Sequence, residues 1–134
     1  MIVDSSAIVA VLRAEREAAD FAKAIESACQ SFTGCRVSAV SYVEAAIVID
    51  GGRDVVASRR FDDFFRASRI AVEAVTAKQA EIARQAYRDF GKGRHRARLN
   101  LGDCFAYALA KEMDEPLLCK GDDFRHTDVE VAEL

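Results

Sequence analysis

Acidic residues recur in this chain where one structural element should end and the next begin. Asp4 follows the short apolar opening Met1-Ile2-Val3, and Glu44 closes Ser41-Tyr42-Val43-Glu44. Asp103 closes Asn100-Leu101-Gly102-Asp103, and Asp122 and Asp123 follow Leu117-Leu118-Cys119. Carboxylates brought together from distant parts of a chain disfavour one another's charge unless protons or cations intervene. A cluster of hard oxygen donors without histidine or thiol favours Mg²⁺ or Mn²⁺ over Zn²⁺. Such an ion lowers the pKa of bound water and stabilises charge on a phosphoryl oxygen during in-line attack. Each acid also has a local explanation. Glu44 completes a capping box with Ser41, Asp103 complements a helix dipole next to Asn100, and Asp122 and Asp123 suit a turn. Asp4 is the hardest to explain locally, because a carboxylate directly after a buried strand is poorly suited to a core. Ser6 either holds that carboxylate by a hydrogen bond or caps the following helix.

The elements that must position these acids follow from periodicity. Met1–Val3 reads as a short buried strand, and a helix starts at Ala7 and reaches Leu12. Ala18, Phe21, Ala22, Ile25, Ala28 and Cys29 put one apolar stripe on a helix over Glu15–Gln30. Arg36–Ser38 reads as a strand, followed by a helix capped by Ser41 that runs to about Ile49. Gly51-Gly52 stops it, and another helix covers Asp54–Ala67 with Phe61, Phe64 and Phe65 inward. Those phenylalanines suit either core packing or a partner-binding face. Ile70–Val75 reads as a strand, then Thr76 caps a helix ending at Gly91. Asn100 caps the helix that carries Phe105, Leu109 and Met113, and Pro116 follows as a stop. Leu117–Cys119 reads as a buried strand and Val129–Val131 as an edge strand. Strands alternating with helices predict an α/β fold, a three-layer α/β/α sandwich with a central, mainly parallel sheet. In such a sheet, ligands bind beyond the carboxyl ends of the strands, where these acids are expected.

The length of 134 residues, 51% of them apolar, fits one domain spanning 1–134 with a real core. A net charge of −3 confines any nucleic-acid contact to a local basic patch. The densest such patch is Lys92, Arg94, Arg96 and Arg98, in a loop that leads to the Asp103 helix. Cations beside an acidic metal site suit a phosphate backbone passing over it, while a solvated or partner-packing loop is the alternative. His95 within the loop is either a proton carrier or a plain polar residue. Cys29, Cys35, Cys104 and Cys119 contain no C-x-x-C, so reduced, mostly buried thiols are expected. Neither a P-loop nor a G-x-G-x-x-G is present. The opening lacks the features of a signal peptide and no apolar run approaches a membrane span, which leads to the expectation of a cytoplasmic protein.

Four segments together resemble the PIN domains of VapC toxins, in order and at family-like spacing. They are Met1-Ile2-Val3-Asp4-Ser5-Ser6-Ala7, Ser38-Ala39-Val40-Ser41-Tyr42-Val43-Glu44, the run from Asn100 to Ala110 preceded by Gly91-Lys92-Gly93-Arg94-His95, and Leu117 to Phe124. The resemblance implies a cytoplasmic endoribonuclease that cuts RNA with Mg²⁺ or Mn²⁺. It also implies inhibition by a VapB-like antitoxin and pairing into a homodimer through helices. Its acidic set carries over as Asp4, Glu44 and Asp103. Many PIN domains present D-x-D before the Phe where this chain has Gly121-Asp122-Asp123-Phe124, so Asp122 is taken as the fourth acid and Asp123 as its alternative. A second departure is Arg96, where close relatives are expected to carry Pro.

Two other functions compete. One is a catalytically silent RNA- or protein-binding module of the same fold, against which the full set of acids argues. The other is a Mg²⁺-dependent aspartyl phosphotransfer domain. Asp4-Ser5-Ser6 lacks the D-x-D of aspartyl-phosphate phosphatases, and a receiver domain would carry its acid pair early rather than near the end.

Overall fold

The computed structural model describes all residues, 1–134. Its elements run β1 (Ile2–Val3), α1 (Ser5–Leu12), α2 (Ala18–Cys29), β2 (Arg36–Ser38), α3 (Ala39–Asp50), α4 (Val55–Ser68), β3 (Ala71–Glu73), α5 (Ala77–Phe90), α6 (Leu101–Met113) and β4 (Leu117–Leu118). A 3₁₀ turn at Phe124–His126 follows. The four strands form one parallel sheet in the order β3-β2-β1-β4. Ile2 pairs with Arg36 on one side and with Leu117 on the other. The chain thus builds outward from β1 through β2 to β3, then returns to add β4 on the opposite side. The order reverses between β1 and β4, which places the ligand crevice of an open α/β sheet beyond the ends of those two strands.

Alternation along the strands separates the two faces. Ile2 and Leu117 belong to the core under α5 and α6, whereas Val3 and Leu118 belong to the core under α1 to α4. These are the three layers that the alternation of strands and helices predicts. Phe61 is buried, and it packs with Phe65 and Tyr42 at centroid separations of 4.9–5.2 Å, with Phe64 against Phe65. The α4 aromatics therefore pack the core, consistent with their inward spacing. All four cysteines are free, and Cys35, Cys104 and Cys119 are buried.

Several boundaries differ from those expected. The helix predicted from Glu15 begins at Ala18, and α1 begins at Ser5, directly after Asp4. The predicted edge strand Val129–Val131 is reduced to a single bridge, Leu117 to Val131. Helix α3 begins at Ala39 rather than after Ser41, because β2 runs into it without a loop and Ser38 is the residue in extended conformation. The Ser38 side chain accepts a hydrogen bond from the Val40 amide at 3.3 Å. Ser41 is consequently buried inside the helix with its hydroxyl unpaired, and the Ser41–Glu44 capping box does not form.

Candidate active site

Asp4 sits at the carboxyl end of β1 and caps α1. Its Oδ2 accepts the Ser6 amide at 2.9 Å and the Ser6 hydroxyl at 2.6 Å. Ser6 Oγ in turn accepts the Lys120 amide at 2.9 Å, so the segment after β4 fixes the serine that fixes Asp4. Of the two roles open to it from sequence, Ser6 therefore takes the first, holding the carboxylate, while the cap of α1 is Asp4 itself. The other oxygen, Asp4 Oδ1, is buried with no hydrogen-bond partner, although the residue is only 2% exposed. An unpaired buried carboxylate oxygen is costly in the absence of a cation. Burial accordingly pushes the Asp4 carboxyl above its ordinary range, against the opposing hydrogen bonds from Ser6.

Glu44 projects from the second turn of α3 toward the same crevice. It accepts a hydrogen bond from Ser5 Oγ at 3.3 Å. A Cβ added to Gly102 would lie 2.0–2.2 Å from the Glu44 carboxylate, so the first turn of α6 must be bare of side chain where Glu44 passes. Burial raises the Glu44 pKa, and the charge of Asp4 raises it further. Asp103 occupies the third position of α6, where Asn100 and Asp103 form a reciprocal capping box. The Asn100 amide donates to Asp103 Oδ2 at 2.8 Å, and the Asp103 amide donates to Asn100 Oδ1 at 3.0 Å. Burial pushes Asp103 up to about 6, with the negative charges of Asp4, Glu44 and Asp123 adding to the rise against the Asn100 hydrogen bond.

Asp4, Glu44 and Asp103 therefore share one electrostatic environment. Of the two candidates for a fourth acid, Asp123 is the one whose charge reaches Asp103 and Cys119. Asp122 is directed elsewhere, 82% exposed at its side chain and 3.6 Å from Arg125 Nε. Gly102 and Ser5 are functional positions that sequence reasoning missed. A glycine inside a helix, at a cost near 1 kcal/mol relative to alanine, was the available signal for the first.

No three of the acids, thiols or imidazoles converge into a ready coordination shell. The acids sense one another's charge yet stand farther apart than one ion would draw them. The donor set fits a hard divalent cation all the same, since every acid offers oxygen and Asp4 Oδ1 is held buried without a partner.

The basic loop is an ordered turn rather than a floppy one. The Lys92 amide donates to Leu99 O at 2.9 Å and the Leu99 amide to Phe90 O at 3.0 Å, with Gly93 and Arg98 at positive φ. His95 Nδ1 accepts the Ala97 amide at 3.1 Å and its ring packs edge-on to Phe90. His95 thus shapes the turn. Lys92, Arg94, Arg96 and Arg98 are all exposed, and none takes part in an ion pair. Lys120 differs, because it is engaged by Glu15 and Glu17.

The PIN domain family matches residues 1–130. Ribonuclease VapC28 of Mycobacterium tuberculosis is 51% identical over 133 residues, covering 98% of this chain and 97% of that protein. The chain belongs to the PIN-domain family, in its VapC branch. Two solved structures share the fold at low identity. A toxin–antitoxin complex from Klebsiella pneumoniae gives a TM-score of 0.70 at 16% identity over 98% of this chain and 95% of that one. Mycobacterium tuberculosis VapC20, described as a sarcin-ricin loop cleaving toxin, gives 0.69 at 18% identity over 98% of each.

Proposed function

We propose that this chain is a metal-dependent endoribonuclease, the toxin of a VapBC-type pair, working as a single PIN-like domain over 1–134. The observation that carries the catalytic reading is the buried, unpartnered Oδ1 of Asp4, on a carboxylate whose charge acts on both Glu44 and Asp103. The 51% identity to a protein named as a ribonuclease supports the reaction class. Asp4, Glu44 and Asp103 hold Mg²⁺ or Mn²⁺, with Asp123 the better-supported fourth acid and Asp122 its alternative. When bound, the ion supplies an activated water and charge stabilisation at the phosphoryl oxygens. Ser6 fixes the Asp4 rotamer, Ser5 steadies Glu44, and Asn100 anchors Asp103 through the helix cap. The mutual repulsion and burial that raise the proton affinity of Glu44 and Asp103 without a cation would be relieved by one, so both carboxylates are suited to serve as ionised ligands that also accept hydrogen bonds from the attacking water. Lys92, Arg94, Arg96 and Arg98 guide the RNA backbone toward the acids.

A VapB-like antitoxin restrains the enzyme. The concentration of carboxylates in the crevice favours an inserted basic side chain, which would satisfy them with charge-assisted hydrogen bonds. Val43 and Ile47, more than half exposed on α3, support a homodimer through helices. No helix is long and apolar enough to cross a membrane, and a cytoplasmic site of action accords with an RNA substrate.

The decisive experiment is cleavage of RNA by purified Asp103→Asn in Mg²⁺. Loss of outer-shell groups alone costs roughly 10–100-fold at metal sites, so removing a ligand charge should cost at least about 100-fold. The fold should survive, because Asn keeps size and hydrogen bonding at the cap. Cleavage at the wild-type rate would remove Asp103 from the site.

A further inference from the structure

Beside the acid crevice, on the other side of the first turn of α6, α5 and α6 enclose an open groove of about 730 Å³. Leu101 and Phe105 line the groove, and each is two residues from Asp103, so groove and crevice lie on opposite faces of the start of α6. Arg84, Arg88 and Arg94 line the groove together with Tyr87. None of the three arginines takes part in an ion pair, although the chain as a whole is acidic. Tyr87 is 43% exposed and Leu101 73% exposed. The Tyr87 ring is held in place from one side by Gly91, where a Cβ would lie 2.6 Å from Tyr87 Cδ2. The Arg94 guanidinium lies over one face of the ring, 5.6 Å from its centroid, in a cation–π contact that leaves the other face for a base.

Guanidinium groups without carboxylate partners around a partly exposed aromatic ring are what a single-stranded nucleic acid requires, with cations for phosphates and a flat face for a base. A second copy of this chain fits less well. A two-fold contact through this surface would set the same three arginines against one another. We propose that the α5–α6 groove is a nucleotide subsite for single-stranded RNA adjoining the scissile phosphate, with a base stacked on Tyr87 and flanking phosphates on Arg84, Arg88 and Arg94. The proposal rests on the ribonuclease reading for its substrate, and it adds Arg84, Tyr87 and Arg88 to the RNA path.

The test uses the full chain and a 2′-O-methylated RNA oligonucleotide of about ten nucleotides, whose affinity is measured against salt alongside cleavage of an unmodified RNA. In R84Q/R88Q the slope of log affinity against log salt should flatten by about 1.4, because two phosphates go unneutralised and each accounts for about 0.7 on a single strand. Tyr87→Ala should weaken binding about tenfold or more with the slope nearly intact, and Tyr87→Phe should restore it. KM for cleavage should rise in these variants while kcat stays within about twofold. Wild-type affinity and slope in both R84Q/R88Q and Tyr87→Ala overturn the subsite, and if Asp103→Asn still abolishes cleavage, the ribonuclease reading stands without it. Conversion of a wild-type dimer to a monomer by R84Q/R88Q, with RNA affinity unchanged, also overturns it and makes the groove an interface between copies. A wild-type protein that cuts no RNA, yet binds the oligonucleotide in a manner dependent on these residues, upholds the groove and sinks the catalytic reading.

Discussion

At the start of α6, Asn100 and Asp103 exchange side-chain and backbone hydrogen bonds, whereas at the start of α3 the corresponding exchange between Ser41 and Glu44 is absent. Both segments carry the same four-residue signal, a small polar residue followed three positions later by an acid. The difference lies in what precedes each. Asn100 comes out of a loop and is free to take the extended cap conformation, but Ser41 follows a strand that has already turned into helix at Ser38. Asp103 therefore serves twice, with one oxygen committed to the cap and its charge in the crevice. Glu44 is released from capping altogether and belongs to the crevice alone.

The largest expected effect separates these two roles. Glu44→Gln should lower RNA cleavage at least about 100-fold with no loss of thermal stability, since it removes a site charge and no cap. Asp103→Ala should lose cleavage and also, in melts at pH 5 where its carboxyl is largely protonated, about 1 kcal/mol of stability, because the reciprocal cap goes with it. Gly102→Ala sharpens the contrast from the other side. Its methyl group must displace the Glu44 carboxylate, so cleavage should fall while the melting temperature holds or rises through the better helix propensity of alanine. Thermal melts of the three proteins beside their cleavage rates check the set. A Glu44→Gln protein melting as low as Asp103→Ala would show the two acids to be equivalent caps.

A smaller effect concerns pH. Asp103 is raised to about 6 in the fold, and Asp4 and Glu44 are raised as well, so the native state holds these protons longer than the unfolded chain does. Stability from such groups is fully present below their ordinary pKa near 4 and is lost as pH rises through about 6. In EDTA, Asp103→Asn should therefore gain on the wild type between pH 5 and pH 7.5. The gain should be about 1 kcal/mol or less once solvent screening of this partly exposed group is allowed for. Divalent cation should erase it. Denaturant titrations at the two pH values measure the double difference, and a gain at the lower pH would reverse the sign and refute the linkage.

The layers and most helices were legible because strand and helix periods differ and because Gly51, Gly91 and Pro116 punctuate them. That Asp4 and Glu44 lie near one another was legible too, since a parallel sheet collects the residues that follow its strands, and Asp103, which follows a loop, feels the charge of both. What could not be read was whatever depends on pairing across the chain. The start of α3 was misplaced by a local signal that the strand overrides. The preference for Asp123 over Asp122 depends on the 3₁₀ turn after them, which no periodicity announces. The groove was hidden for a similar reason: along α5, Tyr87 reads with Ala83, Ala86 and Phe90 as the apolar side of an amphipathic helix, and only α6 beside it sets Tyr87 in a groove with Arg84 and Arg88.

The smallest effect tests the shifted cap of α3 itself. If Ser38 is the N-cap, Ser38→Ala removes the acceptor for the Val40 amide and should cost about 1 kcal/mol. If Ser41 were the cap, as the local pattern suggests, the same cost would fall there instead. The buried Ser41 hydroxyl has no partner, so Ser41→Ala removes a polar group that was costing desolvation and gives up no hydrogen bond. It should be neutral or slightly stabilising, helped by the higher helix propensity of alanine. Neither variant touches a carboxylate, so both should cut RNA at close to the wild-type rate at temperatures where they are folded. Urea unfolding of the two proteins distinguishes the alternatives. A loss at Ser41 equal to that at Ser38 would mean that the Ser41 hydroxyl has found a partner, and the account of why Glu44 is free to serve the crevice would have to be rebuilt from that contact.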